Sequence, residues 1–423
     1  MMSRPDDPVH RSLPWQGAAR GAHLLDPSGA VRPTVFEELT GLAQVHDAIN
    51  LGQGFPDTDG PEELRRIAAD AVVRDLSDGG LNQYAPGAGL PSLRQAVADH
   101  QHRWYGQRLD PAHNVLVTTG ATEGIAASLL AVVSAGDRVV TFSPYYDSYA
   151  AMLGLVGAEH ASIPLRWPDF QPTPEDIAAA ITPETRAVLL NTPHNPTGTV
   201  FSRETLQQIV DAAAAADAII ISDEVYEHLV FEAEHVPVAS VPGAAERTLT
   251  LGSAGKSFSL TGWKVGWVTG PAELITGVRA VKQFMSYSSG GPFQAAIATG
   301  LGYDDDYFRA GATRLAAGRD ILADALRGVG LAVNRPAAGY FLIADAAPLG
   351  VHDARELAYR MTSDLGVAAI PVSAFVDPQE VSEYRSQLRF AFCKRPDVLA
   401  AAAARLADLP DVCASLSSAQ ERA

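Results

Sequence analysis

The chain has 423 residues, 47% hydrophobic and 19% charged, more than a single core usually serves, so two domains are expected. Its 49 acidic against 32 basic residues leave a formal charge of −17, which argues against a nucleic-acid partner, because such binding needs concentrated positive charge. No apolar run approaches the roughly 20 residues of a membrane span, and two cysteines, Cys393 and Cys413, provide neither a disulfide framework nor a zinc set, so a reducing cytoplasm and no metal are expected.

The first residues carry arginines without an apolar stretch and do not read as a secretory signal. Residues 1 to about 30 are rich in Pro, Gly, Arg and Asp with little periodicity, and read as a loosely ordered extension. Strand-like runs then fall at Asn114–Thr118, Arg138–Phe142, His160–Pro164, Arg186–Asn191, Ala218–Ser222, Thr248–Leu251 and Val265–Thr269. Helical segments lie between them at Glu123–Val133, Ser148–Leu155, Pro174–Ala180 and Arg203–Ala216. Strands alternating with helices imply crossover connections and a largely parallel sheet covered on both faces. After a long helix, Tyr307–Gly328, the texture becomes α+β, with short strands near Gly339–Ala344, Val367–Pro371 and Leu388–Phe392. The expected division is a large domain over 76–309 and a small one built from 31–75 and 310–423.

In open α/β sheets ligands gather beyond the carboxyl ends of the strands, and four motifs fall there. In VLVTTGATEGI (115–125) a strand runs into Gly120-Ala121-Thr122 and a helix, so that free N–H groups and a hydroxyl could cradle a phosphate; a plain turn capped by Thr122 is the simpler alternative. Ser143-Pro144-Tyr145-Tyr146-Asp147 offers an aromatic to stack on a flat heterocycle, or a rim tyrosine. NTPHNPTG (191–198) is a rigid turn after the buried run Ala187–Leu190 and presents the Asn195 amide. In AIIISDEVYEHLVF (218–231), Asp223 ends an apolar strand, where a carboxylate is costly unless a cation such as a protonated ring nitrogen faces it; Tyr226 follows three residues later.

The fifth piece is Lys256, in LGSAGKSFSLTGWKVGWVTG, with Ser253 before it and Lys264 after it. A lysine among small and hydroxylated residues directly after a strand can carry an aldehyde cofactor as a Schiff base. A phosphate cradle, a stacking aromatic, an amide, a buried carboxylate and an amine, in that order, match the needs of pyridoxal 5′-phosphate.

Over about residues 31 to 410 the chain resembles the fold-type I, class I/II aminotransferases, and among them the kynurenine/glutamine-type transaminases and the actinobacterial N-succinyldiaminopimelate aminotransferases. The motifs that carry the resemblance include LGQGFPD (51–57), NQYAPGAGLPSLR (82–94), NTPHNPTG, SDEVYEHL, GSAGKSFSLTGWKVGW, AGYFLIAD (338–345) and LRFAFCK (388–394). The resemblance implies a mostly parallel seven-stranded sheet covered by helices, with a smaller α+β domain from both termini. It also implies transfer of an amino group between an amino acid and a 2-oxo acid, 2-oxoglutarate or pyruvate, in a ping-pong sequence.

By motif, Lys256 would bear the cofactor and move a proton, Asp223 would keep the ring nitrogen protonated, and Tyr226 and Asn195 would bond the ring oxygen. Tyr146 would stack on the ring, while Ala121, Thr122, Ser253 and Lys264 would hold the phosphate. Tyr84 would reach the phosphate of a partner subunit in a homodimer. Arg389 would grip the substrate carboxylate, with Gly54 allowing close approach and Phe36 lining the pocket. Ser289-Gly290 before Gly291-Pro292-Phe293-Gln294 replaces an aromatic-histidine pair of the animal enzymes, which favours a roomier pocket. Arg32, Arg279 and His228 stay open as partners for a side-chain carboxylate. Neutral, aromatic or sulfur amino acids and N-succinyldiaminopimelate are the expected donors. A cysteine-conjugate β-lyase is the alternative within the same chemistry; a regulator's sensor module would need a basic DNA-binding domain that the thirty-odd residues before the fold are too few to supply.

Overall fold

The computed structural model describes residues 13–420, with side chains to Leu416. Seven strands form the main sheet: β1 (Val115–Thr119), β2 (Arg138–Ser143), β3 (Glu159–Pro164), β4 (Thr185–Asn191), β5 (Ile219–Asp223), β6 (Thr248–Ser253) and β7 (Val265–Thr269). Their order is β1-β7-β6-β5-β4-β2-β3, parallel except for β7, which runs antiparallel to both β1 and β6. The period of two along these strands explains why both faces are apolar. Val140, Val188, Leu190 and Ile220 pack with Ile177, Leu206 and Ile209 of the helices Pro174–Ala180 and Arg203–Ala215. Their neighbours Val139, Ala187, Leu189 and Ile221 pack on the opposite face with Ile125, Leu129, Leu153 and Val278, from the helices Gly120–Val132, Asp147–Val156 and Ala272–Lys282.

A second core gathers the C-terminal third. The 24-residue helix Asp305–Gly328 contributes Leu322 and Leu326, and an antiparallel four-stranded sheet contributes Leu342, Leu388 and Phe390. The N-terminal region enters this core through Leu39 of the helix Val35–Val45, and Ile49–Asn50 pairs in parallel with Val367–Ala368. The next helix, Glu62–Val73, packs elsewhere: Leu64 and Ala68 join Val115, Val117, Val265 and Trp267 beneath the main sheet.

One expectation needs correction. Residues 14–30 are not loosely ordered: Pro14–Gly21 is a helix lying on the helix Asp147–Val156, and Leu25 forms an antiparallel bridge with Val31. The stretch lacks an apolar period because the helix docks through glycines rather than through large side chains. Residues 1–12 lie outside the described residues.

Candidate active site

Parallel register brings the motif ends together. Asn191, the last residue of β4, is paired with Asp223, the last of β5, and Asp223 with Leu251 of β6. The chain leaves β6 through Ser253 into the short helix Ala254–Ser257, which carries Lys256. Beyond these ends lies a cavity of about 200 Å³, lined by Ala121, Thr122, Tyr146, Asn195, Asp223, Tyr226, Ser253, Lys256 and Lys264. Nine residues singled out in sequence thus face one space.

At one end are the first-turn amides of the helix Gly120–Val132. Helix N-terminal N–H groups lack intrahelical partners and attract anions. Thr122 does not cap this helix, which begins at Gly120 with Thr119 as N-cap and no capping side chain. Gly120 has φ 73°, and a Cβ there would come 3.1 Å from the Lys264 ammonium. A Cβ on Gly266 would come 2.7 Å from the Ala121 nitrogen, so β7 and the helix start are packed backbone to backbone. Tyr146 lines the cavity with Thr122, and burial pushes its pKa up.

Asp223 lines the same cavity and is 5% exposed. Burial pushes its pKa up to about 6, against a hydrogen bond from the Tyr149 hydroxyl to Oδ2 at 2.6 Å. Burial also pulls the Lys256 amine down to about 8, with Asp223 among the groups that oppose the fall. The amine lies 5.4 Å from the Tyr226 ring centre and 5.2 Å from that of Tyr340, and donates to the Gly54 carbonyl at 3.4 Å. The Tyr340 hydroxyl holds the same residue's carbonyl at 3.0 Å.

Arg389 approaches from the small sheet. Leu388 and Phe390 point into the C-terminal core, so the alternation of the strand Gln387–Ala391 turns Arg389 to the other face. Nη1 donates to Asn195 Oδ1 at 3.1 Å and Nη2 to the Gly52 carbonyl at 2.6 Å, while Nε is buried without a partner. Phe341, Phe375 and Phe36 surround the guanidinium, their ring centres 4.0, 4.5 and 5.4 Å from its carbon. Burial pulls Arg389 down to about 10. A desolvated guanidinium with an orphaned N–H is ready to receive a carboxylate.

The class I and II aminotransferase profile matches residues 46–406. The chain belongs to that family. Within it, a probable N-succinyldiaminopimelate aminotransferase of Mycobacterium tuberculosis is 47% identical over 388 residues, covering 89% of this chain and 96% of the relative. Rat kynurenine–oxoglutarate transaminase 3 is 39% identical, over 87% of this chain and 86% of its own. The solved N-succinyldiaminopimelate aminotransferase from M. tuberculosis superposes with a TM-score of 0.85 at 48% identity, covering 89% of this chain and 97% of that one. The solved methionine aminotransferase from Escherichia coli gives 0.84 at 38%, over 89% and 97%. This aminotransferase is accordingly a pyridoxal-phosphate-dependent enzyme of fold type I. The residues present fit that cofactor: an anion cradle at the helix start, an enclosed carboxylate and a low-pKa amine line one cavity.

Not every expected residue meets there. Tyr84 is 85% exposed, stacked edge-on against Tyr287 and outside this chain's own cavity. Gly54 backs the Phe341 ring, which a Cβ would overlap. Arg32 and Arg279 are exposed and do not line the cavity. His228 pairs instead with His100, Nε2 to Nε2 at 2.6 Å. Since His100 Nδ1 faces the Leu301 carbonyl at 3.0 Å and must carry its hydrogen, His228 is the donor in that pair; burial pulls the pKa of both imidazoles down. Sequence reasoning missed Tyr149, although it lies one helical turn after Tyr146 and so on nearly the same face. It also missed Phe341 and Phe375, which no local pattern connects to Arg389. Asn191 was passed over as turn chemistry; its Nδ2 donates to the Asp223 carbonyl at 2.7 Å and its Oδ1 accepts from the Asn195 N–H at 2.6 Å.

Proposed function

We propose that this aminotransferase moves the amino group of a neutral, aromatic or sulfur amino acid, or of N-succinyldiaminopimelate, to 2-oxoglutarate or pyruvate in two ping-pong half-reactions. The observation that carries the reading is the convergence of Lys256, Asp223 and Arg389 from three separate chain segments. Bound pyridoxal phosphate supplies an aldehyde that accepts the amine and a ring that takes up electrons. Lys256, neutral in part at physiological pH, would hold that aldehyde and would carry a proton to and from the substrate α-carbon. Asp223, ionised above about pH 6, would keep a proton on the ring nitrogen, and Tyr149 fixes the orientation of its carboxylate.

Asn195 and Tyr226 would bond the ring oxygen of the cofactor, and Tyr146 would cover its ring face. Ala121 and Thr122 would hold the phosphate through the helix start, with Ser253 and Lys264 of the same lining contributing. Arg389 binds the α-carboxylate of donor and acceptor alike, its own bond to Asn195 tying the substrate grip to the ring. Phe36, Phe341 and Phe375 exclude water from that ion pair and favour donors with an apolar portion next to it. The M. tuberculosis relative supports N-succinyldiaminopimelate as a donor to be tested first.

We further propose a homodimer in which Tyr84 serves the partner's phosphate site. Its support is the exposure of Tyr84 together with Phe284, 91% exposed, and Met285, a patch unusual on a solvated surface. The substrate reading is tested by a donor panel with 2-oxoglutarate and pyruvate as acceptors, followed by the cofactor spectrum. Conversion of N-succinyldiaminopimelate or an apolar donor with an oxo acid required supports it; release of pyruvate and ammonia from a cysteine conjugate with no acceptor favours the lyase.

A further inference from the structure

The N-terminal segment touches the site's supports at three successive points. Helix Pro14–Gly21 lies on the helix Asp147–Val156, glycine against glycine: a Cβ on Gly17 would overlap the Gly154 carbonyl oxygen, one on Gly21 the Ala150 carbonyl oxygen, and one on Gly154 would come 3.1 Å from the Gly21 Cα. Such backbone contact admits no side chain at these positions, which marks a fitted interface rather than loose cover. The helix underneath begins next to Tyr146 and carries Tyr149, the hydrogen-bond donor to Asp223. Two residues past the N-terminal helix, His23 Nε2 lies 2.9 Å from Asp377 Oδ1, to which the Tyr145 hydroxyl also donates at 2.9 Å. The Tyr145 N–H in turn donates to the Phe375 carbonyl at 2.8 Å, and the Phe375 ring lies on Arg389. Phe36, farther along, meets both Phe375 and Arg389.

We propose that residues 14–36 form a positioning strap, whose docking through Gly17, Gly21 and His23 holds the tyrosine helix at the cofactor end and the Phe375 loop at the carboxylate end. The strap residues Gly17, Gly21 and His23 touch no ligand; they act through Tyr146, Tyr149 and Arg389. The inference rests on the assignment of those three residues to the cofactor and carboxylate sites.

The test uses the full-length holoenzyme and the double variant Gly17→Leu/Gly21→Leu, with Gly41→Leu as control, since a Cβ on Gly41 meets nothing within 4 Å. Leucine is the better helix former, so the double variant loses docking without losing helix propensity. Three readouts are compared: tryptic cleavage after Arg20, the dissociation constant of pyridoxal phosphate, and donor KM against kcat. The strap predicts cleavage about tenfold faster and cofactor and donor binding each about fivefold weaker, with the control unchanged. His23→Ala should weaken donor binding, and His23→Gln, which keeps a donor for Asp377, should recover most of it. Faster cleavage with unaltered binding constants would reduce the segment to a mere cover and overturn the proposal. Unaltered cleavage would show that the glycine face does not dock, with the same consequence. A holoenzyme that transaminates no donor in the panel would count against the proposed substrates, yet the cofactor constants and cleavage rates would still decide the strap.

Discussion

An ordinary lysine is protonated at neutral pH and a poor nucleophile; burial pulls Lys256 down to about 8, so a useful fraction is neutral there. The sign follows directly: below about pH 8 the amine is mostly charged, and above it mostly free. Capture of pyridoxal phosphate by the apoprotein should therefore speed up between pH 6 and 8 and level off beyond, as followed by absorbance in stopped flow. A rate still climbing toward pH 10 would mean an unshifted lysine. Asp223 and Tyr149 form the other residue-scale unit. Asp223→Ala removes the ring's charge partner and should lower kcat on the order of 100-fold. Tyr149→Phe removes one charge-assisted hydrogen bond and should lower it by about tenfold, with little change in donor KM. Equal losses from the two would count against the role of Asp223 as the ring's charge partner.

Elements set where these residues stand. The strand runs were legible because buried parallel strands are nearly continuous apolar stretches: Arg186–Asn191 was expected and Thr185–Asn191 is found. The helix expected from Tyr307 starts at Asp305 and ends, as expected, at Gly328. The carboxyl-end residues Asn195, Asp223 and Lys256 were equally legible, since each follows directly on such a run. Strand order was not, because sequence period reports which face is buried and not which strand is the neighbour. The antiparallel β7 and the packing of Phe341 and Phe375 around Arg389 belong to that invisible part, as does the glycine-docked N-terminal helix. Gly54 illustrates the difference: the resemblance implies close approach to the substrate carboxylate, whereas the structure sets the Phe341 ring against this glycine. Gly54→Ala should push that ring off Arg389 and raise the KM of every amino donor about tenfold while kcat changes little. An unchanged KM would show that the ring contributes nothing to the grip.

At the scale of the molecule, the main sheet supplies the cavity with Asp223 and leads into Lys256, while Arg389 of the small sheet stands beside it, bonded to Asn195 of its lining. A single subunit leaves Tyr84 in the open, which makes the proposed dimer a question of function. Mixing Lys256→Ala subunits with Tyr84→Ala subunits under exchange should yield more activity than the two measured apart, because each hybrid pairs one native lysine with one native tyrosine. Absence of that gain would confine Tyr84 to its own subunit. Replacing Lys256 by alanine should abolish turnover while leaving thermal unfolding nearly unchanged, since the lysine lines a cavity and supports no core. The most direct measurement is reduction of the purified holoenzyme with borohydride, followed by peptide mapping. The pyridoxyl label is predicted on Lys256 alone; a label on another lysine, or none, would contradict the account.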